Sequence, residues 1–175
     1  GFYSFFETGY ALRGFERIFT DFIEHPDFVL AMFEKLMEIN LAGTKRFLDA
    51  AGRYITIFRM ADDLAAQSNL LMSPKMYRKF LKPFHRRYIE FVKSQTDAKI
   101  LFHTDGNVTP LLDDLIEIGV DILNPVQPSA LGDLVAIKAR YGDRLSFSGA
   151  IDTHQVLPYG SVEDVQAEVK QRIRE

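Results

Sequence analysis

Cysteine is absent from the 175-residue chain. Its absence excludes disulfide frameworks, thiolate zinc sites, iron–sulfur clusters and cysteine nucleophiles, and it fits a cytoplasmic protein. Long apolar runs are missing too. Nothing approaches the ~20 residues of a membrane span, and no charged-then-apolar segment opens the chain. Neither sign of charge dominates: 21 Lys+Arg against 24 Asp+Glu leave a net charge of only −3. Nucleic-acid binders carry a basic stripe and membrane-surface modules a polybasic cluster. Here Lys79, Lys82, Arg86 and Arg87 are spread along a helical pattern and read as a solvated helix face. No nucleic-acid or membrane partner is expected. Linkers and low-complexity tracts are also lacking, so residues 1–175 read as one domain, on a prior of roughly 150 residues per domain.

What is present is ordinary globular composition, 47% hydrophobic and 26% charged. Short apolar runs at 2–7, 54–58, 99–103, 121–124 and 145–148 are aromatic or β-branched, with little polar alternation. Such runs predict parallel strands buried on both faces. Helical patterns lie between them. Phe15, Ile18, Phe19, Phe22 and Ile23 form one apolar stripe, and Val29, Met32, Phe33 and Leu36 form another that ends near Gly52. Ser73-Pro74 marks a helix start, and Pro83 predicts a kink or break soon after. Thr109-Pro110 opens a helix ended by Gly119, and 133–141 is helical before Gly142. Ser161 with Asp164 resembles a capping box. The order is a repeated β-α, which means a parallel sheet with helical crossovers, open or closed into a barrel. No G-x-G-x-x-G follows a strand, which lowers a dinucleotide-binding reading.

In such folds functional groups collect at the carboxyl ends of the strands. Glu7 and Thr8 end the first run, and Arg59, Asp62 and Asp63 follow the second. His103, Asp105 and Asn107 follow the third, Asn124 and Gln127 the fourth, and Asp152, Thr153 and His154 the fifth. His103 and Asp105 are the sharpest pair, because residues i and i+2 at a strand end point to the same side and can share one metal. A third ligand would come from Glu7, Asp63 or Asp152. The competing reading makes Asp105-Gly106-Asn107 a tight turn and His103 a hydrogen-bonded pocket residue. Adjacent strand residues face opposite ways, so one of Asp62 and Asp63 should enter the pocket, as an acid/base, an acceptor or a ligand. Arg59 would pair with it or bind a substrate carboxylate. His25 and His85 fall on helices and read as surface or capping residues. Ser146 and Ser148 do not sit in a G-x-S-x-G elbow, so serine nucleophile chemistry has no support.

Asp62-Asp63-Leu64, the segment 71–83 (LMSPKMYRKFLKP), His103-Thr104-Asp105-Gly106-Asn107, the segment 110–127 (PLLDDLIEIGVDILNPVQ) and 149–152 (GAID) resemble the uroporphyrinogen decarboxylase superfamily in order and spacing. The similarity runs from about Leu12 to the end. It implies an α/β fold, a partial (β/α)8 TIM barrel of five βα units, roughly the third to seventh strands. The chain then reads as an internal or C-terminal part of a protein about twice as long. The superfamily divides between decarboxylases of porphyrin biosynthesis and corrinoid-dependent methyltransferases. The latter bind zinc through His-x-Cys after this strand. Here aspartate stands in the cysteine position, so the resemblance implies His/Asp ligation by His103 and Asp105.

The favoured expectation is a methyltransferase-like enzyme moving a methyl group between a small methylated substrate and a corrinoid (cobalamin) or folate carrier. In it Asp63 and Asp105 act in catalysis, while Arg59, Asn107, Asn124, Gln127 and Asp152 bind substrate. The alternatives are porphyrinogen decarboxylation without a cofactor and a non-catalytic tetrapyrrole- or corrinoid-binding domain. A corrinoid protein and a second copy of the chain, as a homodimer, are the partners these readings allow.

Overall fold

The computed structural model describes residues 4–175. Helices α1 (Phe6–Arg13), α2 (Phe15–Glu24) and α3 (Pro26–Ala51) come first, followed by strand β1 (Ile57–Ala61), helices α4 (Pro74–Phe80) and α5 (Lys82–Gln95), and β2 (Lys99–His103). Then come α6 (Leu112–Glu117), β3 (Ile122–Asn124), α7 (Pro128–Leu131), α8 (Leu134–Tyr141), β4 (Ser146–Phe147), α9 (Val156–Tyr159) and α10 (Val162–Arg174). The four strands form one parallel sheet in the order β1-β2-β3-β4. Consecutive parallel neighbours joined by helical crossovers are the repeating unit of a (β/α)8 barrel. A partial barrel is therefore the observed fold.

Three expectations need correction. The first concerns the run at 2–7. Phe2 and Tyr3 lie outside the described residues, and from Phe6 onward the segment is α1, so Glu7 and Thr8 sit on a helix and four strands, not five, are described. The physical reason is a tertiary cap: the backbone N–H groups of Phe5, Phe6 and Glu7 donate to the Asp62 carboxylate and start a helix there. The second concerns 54–58. A 3₁₀ turn over Gly52–Tyr54 delays β1 to Ile57–Ala61, which places Arg59 inside the strand and not after it.

The third concerns burial. Phe58, Met60, Ile100, Phe102 and Leu123 are buried under the helices, while Ile57, Arg59 and Lys99 are exposed on the opposite face. Burial thus alternates along the strands. The opposite face is the one that lines the interior when a barrel closes.

Helix punctuation follows the sequence more closely. Ser73 Oγ accepts from the Met76 N–H, and the helical run breaks at Leu81 just before Pro83. Asp133 caps α8, and Ser161 and Asp164 form a reciprocal capping box on α10. The core beneath the sheet joins Phe33 and Met37 of α3 to Tyr88, Ile89 and Val92 of α5 and to the strand residues. On α5, Lys82 and Arg86 pair with Glu117 of α6, and Arg87 pairs with Glu34 of α3. That basic face is therefore neutralised by its neighbours. Among the described residues no helix is long and apolar enough to cross a membrane.

Candidate metal centre at the carboxyl end of the sheet

Register places Ala61, His103 and Asn124 side by side across β1, β2 and β3. The backbone ladder runs on past these residues: Asp62 N–H donates to the His103 carbonyl at 3.0 Å and Thr104 N–H to that of Asn124 at 2.9 Å. The ladder thereby continues up to the loops that carry Asp63 and Asp105. Thr104, buried, accepts from the Leu64 N–H at 3.0 Å and ties the two loops together.

Asp63, His103 and Asp105 converge there, with one ligand atom from each lying within 4.8 Å of the others. Asn124 Nδ2 donates to the Ser148 carbonyl at 3.1 Å, which turns Oδ1 toward His103. That oxygen lies 2.6 Å from His103 Nδ1. An amide oxygen only accepts, so this bond places a proton on Nδ1, and Nε2 is the ring nitrogen that can offer a lone pair. Asp63 Oδ1 accepts the Asp105 N–H at 2.9 Å, which sets the spacing of the two carboxylates. Burial raises the Asp63 carboxyl above its ordinary value, against the pull of that N–H.

Glu7 lies in the first turn of α1, with its N–H held by Asp62. Burial, and then the charges of Asp62, Asp63 and Asp105, push its carboxyl up to about 7. Tyr10, one turn further along, is raised by burial and by Glu7. Asp62 and Asp63 do face opposite ways: Asp62 is wholly buried, and Asp63 is half-buried at the cluster.

Just past Asp105 the chain bends at Gly106. Its φ of +80° and its place 2.3 Å, measured from an added Cβ, from the Ala66 carbonyl oxygen leave no room for a side chain. Asn107 donates its N–H to Ala66 and accepts the Thr109 N–H at 3.3 Å.

Other anticipated residues serve the loops. Gln127 is buried, accepting from Gly106 N–H at 3.4 Å and donating to Thr153 Oγ1 at 2.7 Å. Asp152 accepts the N–H groups of His154 and Gln155, and its own N–H is held by Glu168. Arg59 lies on the exposed face of β1, opposite Leu101 in register. His85 overturns its reading as a surface residue: it is fully buried against Asp62. A groove of about 530 Å³ opens elsewhere, lined by Leu134, Ile137, Phe147, Val169 and Ile173, and none of the strand-end polar groups lines it.

The uroporphyrinogen decarboxylase (URO-D) family model matches residues 4–175. The chain belongs to the uroporphyrinogen decarboxylase family. No curated protein matches it. Among solved structures, this uroporphyrinogen decarboxylase-family chain is similar to a methyltransferase from Methanosarcina mazei, with a TM-score of 0.75 and 22% identity. The match covers 98% of this chain and 48% of that one, so the chain spans about half the length of the structure it resembles. At that identity the likeness is one of fold.

Proposed function

We propose that this uroporphyrinogen decarboxylase-family chain carries the metal-binding pole of a methyltransferase-like enzyme, which moves a methyl group between a small methylated substrate and a corrinoid or folate carrier. The observation that carries the reading is the convergence of Asp63, His103 and Asp105; with Nδ1 committed to Asn124, Nε2 is the ligand atom the reading requires. An imidazole nitrogen with carboxylate oxygens suits a borderline divalent ion such as zinc, and a second hydrogen bond that orients the histidine is a usual companion of such ligands. When bound, the metal supplies Lewis acidity toward a methylated oxygen, nitrogen or sulfur.

The chain's own groups do the rest. Asn124 holds the imidazole in one tautomer and one orientation. Asp63 and Asp105 keep their spacing through the N–H of Asp105. Glu7, with a carboxyl that titrates about 7, can take or return a proton at neutral pH. Asn107 and Asp152, in the loops, and Arg59, on the exposed face of β1, are the proposed substrate contacts.

Decarboxylation of a porphyrinogen-like polyacid, for which the family is described, ranks second. A pole that gathers Asp63 and Asp105 would meet such a substrate with like charge. The test is methyl transfer in the full-length protein. Zinc and methylcobalamin are supplied with thiol, amine or alcohol acceptors, and demethylation is followed by absorbance. Demethylation lost in His103→Ala supports the proposal. Release of CO2 from a porphyrinogen, with methylcobalamin untouched, overturns it.

A further inference from the structure

The hydrogen-bond ladder between β1 and β2 changes character where the cluster begins. In a parallel pair the bonds are evenly spaced, so each donor is followed two residues later by the next. Up to the strand ends the rule holds: Lys99 N–H donates to the Thr56 carbonyl at 2.9 Å and Asp62 N–H to that of His103 at 3.0 Å. One step further it would send Asp105 N–H to the Asp62 carbonyl and Leu64 N–H to the Asp105 carbonyl. Side chains take both places instead. Asp105 N–H donates to Asp63 Oδ1 at 2.9 Å, and Leu64 N–H donates to Thr104 Oγ1 at 3.0 Å.

The Thr104 hydroxyl thus stands in for the Asp105 carbonyl, and the backbone past Thr104 is released from the sheet to bend at Gly106. Its place in the chain matters as much as its chemistry. Thr104 lies between His103 and Asp105, and Leu64 directly follows Asp63. By strand alternation, Thr104 points away from the side that His103 and Asp105 share. Thr104 is 2% exposed and Leu64 0%, so the bond is shielded from water. Without the hydroxyl, no solvent would replace the acceptor of the Leu64 N–H. On the other side of Asp63, the Asp62 carboxylate is held by His85 Nε2 at 3.0 Å, with both side chains wholly buried. Asp63 is bracketed by two buried anchors.

The geometry points to Thr104 as a positioning residue for the Asp63–His103–Asp105 cluster. Its hydroxyl holds the Asp63 loop against the end of β2 and so sets where the Asp63 carboxylate stands relative to His103 and Asp105. The inference rests on the metal reading proposed above. A hydroxyl that merely satisfied a buried N–H would act alike whether or not residue 63 carries a carboxylate.

The test is a double-mutant cycle in the full-length, metal-free protein, with Zn2+ alone as the probe and calorimetry as the readout. Wild type, Thr104→Val, Asp63→Ala and the double variant are compared. Thr104→Val keeps the shape and the β-branching, and Thr104→Ser, which keeps the hydroxyl, serves as the rescue. Thr104→Val is expected to weaken Zn2+ binding about tenfold where Asp63 is present and less than about twofold in the Asp63→Ala background, with Thr104→Ser close to wild type. Equal losses in the two backgrounds, or no loss in either, overturn the inference. Should Thr104→Val not fold, Thr104→Ala takes its place in the same cycle.

Amide hydrogen exchange at Leu64 reads the grip without any metal. Faster exchange in Thr104→Val is expected, and unchanged protection overturns the hold on the Asp63 loop. A wild type that takes up no Zn2+ sinks the metal reading and the positioning role together. Zn2+ binding that is lost in His103→Ala but untouched in Thr104→Val sinks the positioning role alone.

Discussion

His103 and Asn124 are register partners on adjacent parallel strands, and their side chains are joined by a hydrogen bond of 2.6 Å from Nδ1 to Oδ1. The bond is possible because parallel register puts the two Cβ atoms on the same face at the same level. It selects the tautomer that leaves Nε2 available. Replacing Asn124 by leucine keeps the approximate shape and removes the acceptor. Zn2+ affinity is predicted to fall about 10- to 100-fold, the usual cost of losing an orienting partner. Calorimetric titration of the variant checks this, and an unchanged affinity would mean that Asn124 does not orient a His103 ligand.

Asp62→Ala tests the cap on α1. The substitution strips the N–H groups of Phe5, Phe6 and Glu7 and the imidazole of His85 of their common acceptor. Leaving a buried donor without its acceptor costs about 1–3 kcal/mol. Chemical denaturation should show a loss of that order. A loss under about 1 kcal/mol would show that water or another group takes over the cap.

Gly106→Ala tests the close approach of the two loops. A Cβ there would lie 2.3 Å from the Ala66 carbonyl oxygen, on a residue with φ +80°. Backbone strain of this kind costs about 1–3 kcal/mol before any clash is counted. Both stability and metal affinity should drop, because the Asp63 loop must move. A variant as stable as wild type would place the loops further apart.

Glu7 gives a pH signature. Its folded-state value of about 7 stands above the ordinary 4.5, chiefly through burial. The folded protein therefore binds this proton more tightly than the unfolded chain does. The resulting stabilisation is complete below 4.5 and is lost as pH rises through 7. Relative to wild type, Glu7→Gln should gain stability between pH 4.5 and 7 and hold that gain above it. Denaturation midpoints measured across this range in chelator check the point, and parallel curves for the two proteins would contradict it.

Much of this site can be read from local patterns, and the remainder depends on distant parts of the chain. The runs at 99–103 and 121–124 match β2 and β3 closely because β-branched and aromatic residues there sit between clear turn signals. His103 and Asp105 share a side for the same reason, strand alternation. The aromatic opening at 2–7 favours a strand by local propensity, yet α1 begins inside it because a carboxylate 55 residues away from Glu7 supplies the cap. His85 reads as a surface or capping residue from its place on a helix alone. Its position in the stripe of Phe84, Tyr88, Ile89 and Val92 was the signal of burial, since 85, 88, 89 and 92 follow helical spacing. The face carrying Ile57 and Arg59 is exposed because burial of an inner barrel face comes from strands across the barrel, which no local pattern encodes.

The most direct measurement is metal content. Full-length protein purified without chelator should carry close to one zinc or similar divalent ion per site, and His103→Ala, prepared in parallel, should carry none. Equal metal in the two preparations, or none in either, would contradict a centre built on Asp63, His103 and Asp105.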